Sequence, residues 1–121
     1  MIENSNNIIL NKTIEFSLAI ISYTEKLEER KRFVIAKQLL RAGTSIGANV
    51  HEAQDAESKV DFIHKLKIAV KELNETKYWL VLCMKSENYP NCDSLMEQIK
   101  MVERILNKII STAKNKLKQN T

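Results

Sequence analysis

A chain of 121 residues with only two glycines, Gly43 and Gly47, and one proline, Pro90, has few places at which to turn. Sheet architectures need turn residues every ~8–12 positions, so most all-β folds are excluded. Long helices remain, and the apolar residues recur at the helical period. Hydrophobic residues make up 44% of the chain, enough for a core and too many for a disordered segment. The length corresponds to one domain.

The periodicity predicts four helices over residues 6–29, 33–56, 59–87 and 94–117. In the first, Ile9, Phe16, Ile20, Tyr23 and Leu27 share one stripe, with Leu10, Ile14 and Ile21 beside it. The charged run Glu28 to Arg32 is the first joint. In the second, Ile35, Leu39, Ala42, Ile46, Val50 and Ala53 form the core stripe. Gly43 and Gly47, each weakening a helix by about 1 kcal/mol, lie with Ala36 on one face, which implies close approach of a neighbouring helix. Ser58 and Asp61 give the third helix its N-terminal cap and a carboxylate near the positive dipole end.

Two adjacent stripes run along the third helix. One contains Phe62, Leu66, Ala69, Leu73, Thr76, Leu80 and Cys83; the other adds Ile63, Val70, Lys77 and Met84. This face is wider than one neighbour requires. Lys77 interrupts it and is expected at its edge, stem packed and ammonium outward. Pro90 disfavours helix at Tyr89, so Asn88 to Asp93 forms a turn. Leu95, Ile99, Val102, Leu106, Ile109, Ala113 and Leu117 form the stripe of the fourth helix, followed by a polar tail expected to fray. Four segments of about 24 residues, each about 36 Å long, joined by short links, predict an all-α, antiparallel up-down-up-down four-helix bundle.

No constellation of catalytic type stands out. Phosphate-loop, dinucleotide and nucleophile-elbow patterns are absent, so no enzyme activity is expected. His51, Glu52 and Asp55 lack the second histidine of a zinc-protease helix, and Asp61 to His64 is a poor match to a di-iron motif. No metal or other cofactor is expected, and His64 reads as a surface residue. Cys83 and Cys92 are outside any C-x-x-C spacing and read as reduced thiols of a cytoplasmic protein. Ile8 to Leu10 is closed at once by Asn11 and Lys12, so neither a secretory leader nor a membrane span is expected.

Three sets of residues are candidates for function. Arg41, Ser45, Asn49 and Glu52 lie along one face of the second helix, where they form a polar seam between helices or subunits. The formal charge is +4, and its excess is concentrated in the second half of the chain: residues 59–92 carry net +2 and residues 93–121 net +3. Lys71, Tyr78 and Lys85 share a line on the third helix, and Lys100, Arg104 and Lys108 share one on the fourth, with Lys114 beyond. Such a cationic surface with an aromatic suits a phosphate backbone, RNA or DNA. Trp79 lies off both apolar stripes; with the wide face of the third helix it suggests a homo-oligomer interface.

The stretch Gln38, Leu39, Arg41, Ala42, Ser45, Ile46, Asn49, Val50, Glu52 resembles the Q-L-x-R-A-x-x-S-I-x-x-N-I-x-E-G pattern of the 23S rRNA intervening sequence protein family, with Ala53 where glycine is usual. The family's following lysine and apolar run is matched by Lys59, Phe62, Leu66, Ile68 and Ala69. The resemblance implies an up-and-down bundle that assembles as a homopentamer with a central channel, of a bacterial family whose molecular role is not established. A related branch is the accessory protein of diversity-generating retroelements, whose basic pentamer binds nucleic acid and partners a reverse transcriptase. By that resemblance the lysines of the third and fourth helices are the candidate contacts, and Arg41, Ser45, Asn49 and Glu52 are structural seam residues. The leading expectation is a non-enzymatic oligomer that binds RNA or DNA weakly and without sequence choice. The alternative is a ring that docks a partner protein.

Overall fold

The computed structural model describes residues 5–119 and consists of four helices: α1 Ser5–Glu29, α2 Phe33–Ala53, α3 Lys59–Lys85 and α4 Asp93–Gln119. Each packs on its sequence neighbours and α4 closes on α1, so the chain is an all-α, antiparallel up-down-up-down bundle. The anticipated stripes form the core: Phe16, Ile20, Leu27, Leu39, Ile46, Leu66, Leu73, Leu80, Ile99 and Leu106 are all buried. Thr13 and Thr76 are buried too, and each hydroxyl donates to a carbonyl one turn back, Ile9 O at 2.9 Å and Glu72 O at 2.7 Å.

The helix ends depart from the periodicity where local hydrogen bonding overrides it. α2 stops at Ala53 rather than at residue 56, because the N–H groups of Gln54, Asp55 and Ala56 bond three residues back. Ser58, in extended backbone, then accepts from the Asp61 N–H at 3.0 Å and restarts the chain as α3. α3 ends at Lys85, not at residue 87: Ser86 is already extended, its N–H donating to Cys83 O, and Asn88 takes φ 64°. α4 begins at Asp93, whose N–H donates to Asn91 Oδ1 at 2.9 Å, and remains helical through Gln119, so Lys118 and Gln119 are not frayed. The last two residues of the expected tail, 120 and 121, lie outside the described residues.

The first joint is tighter than its charge run suggests. Arg32 N–H bonds to Leu27 O and Lys31 N–H to Glu28 O, both at 2.8 Å, a Schellman closure. Lys31 occupies the left-handed position at φ 63°, where glycine is usual, at a cost of about 1–2 kcal/mol. This joint is fastened to the α3–α4 joint at the same end of the bundle. The Tyr23 hydroxyl donates to Pro90 O at 2.7 Å, Arg30 donates to Asn88 O at 2.6 Å, and the Arg32 guanidinium lies 5.2 Å over the Tyr89 ring.

Gly43 and Gly47 face α1. A Cβ at Gly43 would lie 2.9 Å from the Ile20 branch carbons, and one at Gly47 would lie 3.1 Å from Thr13 Cβ. One expectation is corrected here: Ile14 and Ile21, placed beside the core stripe, are 46% and 40% exposed. The wide face of α3 meets two neighbours, α2 on one side and α4 on the other.

Candidate functional site

The polar residues of α2 divide between two tasks. Ser45 donates to Arg41 O at 2.6 Å and Asn49 to Ser45 O at 2.8 Å, so both bond back to their own helix. Arg41 and Glu52 reach across to α3. Arg41 pairs with Glu75, and with Glu72 at 3.4 Å; Glu52 pairs with Lys65 at 3.2 Å. Glu75 also accepts from the Trp79 indole N–H at 3.0 Å. Trp79 is half-buried, packed on the core and edge-on to Tyr78 with ring centroids 5.4 Å apart. These residues form a seam along the α2–α3 groove, not a converging pocket.

The basic candidates lie on the exposed faces of α3 and α4. Lys71, Tyr78 and Lys85 are exposed on α3, and Lys100, Arg104, Lys108 and Lys114 on α4. Among the described residues, Lys71, Lys85, Lys100, Arg104 and Lys108 enter no ion pair. Lys77, by contrast, bridges the two helices to Glu103 at 3.0 Å, with its charge at the edge of the apolar face. The same antiparallel register places Lys67 beside Lys114. The proximity of Lys67, with Lys118 as a weaker like charge, lowers the Lys114 ammonium below its usual range. Lys67 was not among the sequence candidates, because only the pairing of α3 with α4 brings it to Lys114.

The remaining chemistry-bearing residues are dispersed. Among the described residues no three His, Cys, Asp or Glu side chains form a group that could hold a metal ion, and His51 and His64 are both exposed. Cys83 and Cys92 are free, buried thiols. Burial pushes the Cys83 thiol up to about 11 and raises those of Cys92 and the Tyr23 phenol as well, so all three stay protonated inside the fold. No described helix is long and apolar enough to cross a membrane.

What the fold and surface define is an all-helical bundle with exposed cations along α3 and α4 and a seam whose residues lie on the Q-L-x-R-A signature. The model of the 23S rRNA-intervening sequence protein family matches residues 5–110, and the chain belongs to that family. It is similar to a protein with unknown function from the S23 ribosomal protein family of Bacteroides thetaiotaomicron VPI-5482, known from a crystal structure. The two are 41% identical over 89% of this chain and 99% of that one, with a TM-score of 0.84. No curated protein matches the chain.

Proposed function

We propose that this chain is a non-enzymatic, cytoplasmic homo-oligomer whose α3–α4 face binds RNA or DNA through the phosphate backbone, without sequence choice. The observation that carries the reading is the set of exposed cations on adjacent helices that enter no ion pair among the described residues, Lys71 and Lys85 on α3 with Lys100, Arg104 and Lys108 on α4. Lys67, near enough to lower the Lys114 ammonium, adds a like charge that a phosphate would offset. Lysine and arginine heads of this kind contact phosphate, which positions a nucleic acid without reading it. Assembly matters to this reading because a protomer of +4 is only mildly basic. In a pentamer, the number the family resemblance implies, about +20 would be presented together, so individually weak contacts gain avidity.

Anisotropy of a labelled single-stranded RNA and a DNA duplex, titrated at rising salt, tests this. Affinity is expected to fall with salt, by a log–log slope of about 0.7–0.9 for each phosphate neutralised. Replacing Lys100, Arg104 and Lys108 together by Gln is expected to weaken binding and flatten that slope. Affinity that ignores salt, or that survives the triple substitution unchanged, overturns the reading.

A further inference from the structure

An exposed aromatic ring stands among the cations of α3 and α4. Tyr78 is 59% exposed, and the exposed Lys71 and Lys85 lie seven residues to either side of it on α3. Seven residues are almost two full helical turns, so the three side chains follow one line, the lysines leaving the helix about 10 Å to either side of the ring. The Lys77–Glu103 bridge sets the register with α4. Tyr78 and Arg104 each adjoin a bridged residue, so the exposed Arg104 stands level with the ring and the exposed Lys100 one turn away along α4.

The ring is also braced. It meets the Trp79 indole edge-on, with centroids 5.4 Å apart and planes at 66°, so the two are not stacked face to face. Trp79 is itself packed on the core, and its N–H donates to Glu75, which pairs with Arg41. A ring held by an anchored neighbour loses little freedom when a second ring stacks on it. The carboxylates beside it are already matched: Glu75, one turn before it, by Arg41, and Glu103, across from it, by Lys77. Lys71, Lys85, Lys100 and Arg104 enter no ion pair among the described residues. A phosphate that nears the ring is therefore met by cations.

Such a ring separates two forms of nucleic acid that lysines alone do not. Phosphates are offered by a duplex and by a single strand alike. A base can lie against an aromatic side chain only where its own face is uncovered, and inside a duplex both faces of every base are taken by its neighbours. An unpaired strand presents an open base face with a phosphate on either side of it.

We infer that the α3–α4 surface takes an unpaired nucleic-acid strand in preference to a duplex, one base stacking on Tyr78 while Lys71, Lys85, Lys100 and Arg104 hold the backbone around it. The inference rests on the phosphate-binding reading above and adds the form of nucleic acid and the residue that selects it. Every base has a face to stack, so the surface remains without sequence choice.

Anisotropy titrations of the full chain test it, with a short labelled DNA strand, its duplex, and the same strand carrying abasic sites. At one salt concentration the strand is expected to bind about tenfold more tightly than the duplex, the gain of one stacked base. The abasic strand keeps its phosphates and is expected to lose that gain. Tyr78→Ala is expected to weaken binding of the intact strand about tenfold, and to leave duplex binding and the salt slope unchanged. Tyr78→Phe, which keeps the ring, is expected to bind as the wild type does. Should Tyr78→Ala not fold, the wild type decides alone: equal affinity for intact and abasic strands overturns the inference. Salt-dependent binding of strand and duplex that Tyr78→Ala leaves untouched also overturns it, and leaves the phosphate reading standing. Binding that ignores salt, or no binding of any of the three probes, overturns both.

Discussion

At the scale of single residues, Gly43 illustrates how a helix-weakening residue can be required. An alanine there gains about 1 kcal/mol of helix propensity, but its methyl would press on Ile20, which is fully buried and stiff at its branched carbon. Overpacking of this kind costs ~1–3 kcal/mol, so Gly43→Ala is expected to lower stability by about 1 kcal/mol, read from the urea midpoint. The sequence placed Gly43 and Gly47 on one close-packed face; that the neighbour is α1 and the contact Ile20 depends on which stripes pair, which no local pattern records. The buried thiols give a second expectation. In the unfolded chain a thiol ionises near its ordinary value of 9.0, whereas Cys83 is held up to about 11. Its contribution is therefore complete below pH 9 and is lost as pH rises toward 11. Denaturation midpoints across that window are expected to fall, and less steeply in Cys83→Ala. Burial of Cys83 was legible from its place in an apolar stripe; burial of Cys92, in the turn, was not. Only the folding of that turn under the bundle end encloses it.

Between elements, the α2–α3 seam shows how side chains selected from one helix acquire partners on another. Steps of four, four and three put Arg41, Ser45, Asn49 and Glu52 on one face, and that much follows from helix geometry alone. That Arg41 closes on Glu75, while Glu75 also takes the Trp79 indole N–H, depends on the register between the helices. Trp79 is thereby held to its own bundle. Trp79→Ala is expected to cost about 2–3 kcal/mol of stability, less than a fully buried tryptophan, while any assembly the chain forms keeps its mass. A combined chemical-denaturation and light-scattering series on that variant checks both parts. The exposed line on α1 was missed for a related reason. Ile14 and Ile21 look like core extension in a sequence, and only the narrow approach of α2 at its glycines leaves them outside.

On the scale of the whole molecule, the bundle presents exposed cations along α3 and α4 and the exposed Ile14 and Ile21 on α1. The asymmetry is visible in the distribution of charge along the chain; its conversion into separate surfaces needs the ring order of the helices. The two joints fastened together by Tyr23, Arg30 and Arg32 are all at one end. At the other end the chain crosses from α2 to α3, and Glu52 pairs with Lys65 beside that link. Mechanically, the clasped end is a pivot from which α4 runs out for 27 residues. Amide exchange is expected to quicken along α4 away from Asp93, most of all beyond Lys108, and Tyr23→Phe is expected to reduce that gradient by loosening the pivot. Lys114, Lys116 and Lys118 stand on the last turns of α4, farthest from that pivot, so on the proposed reading a phosphate backbone would be met by the end of the bundle that the clasp does not hold.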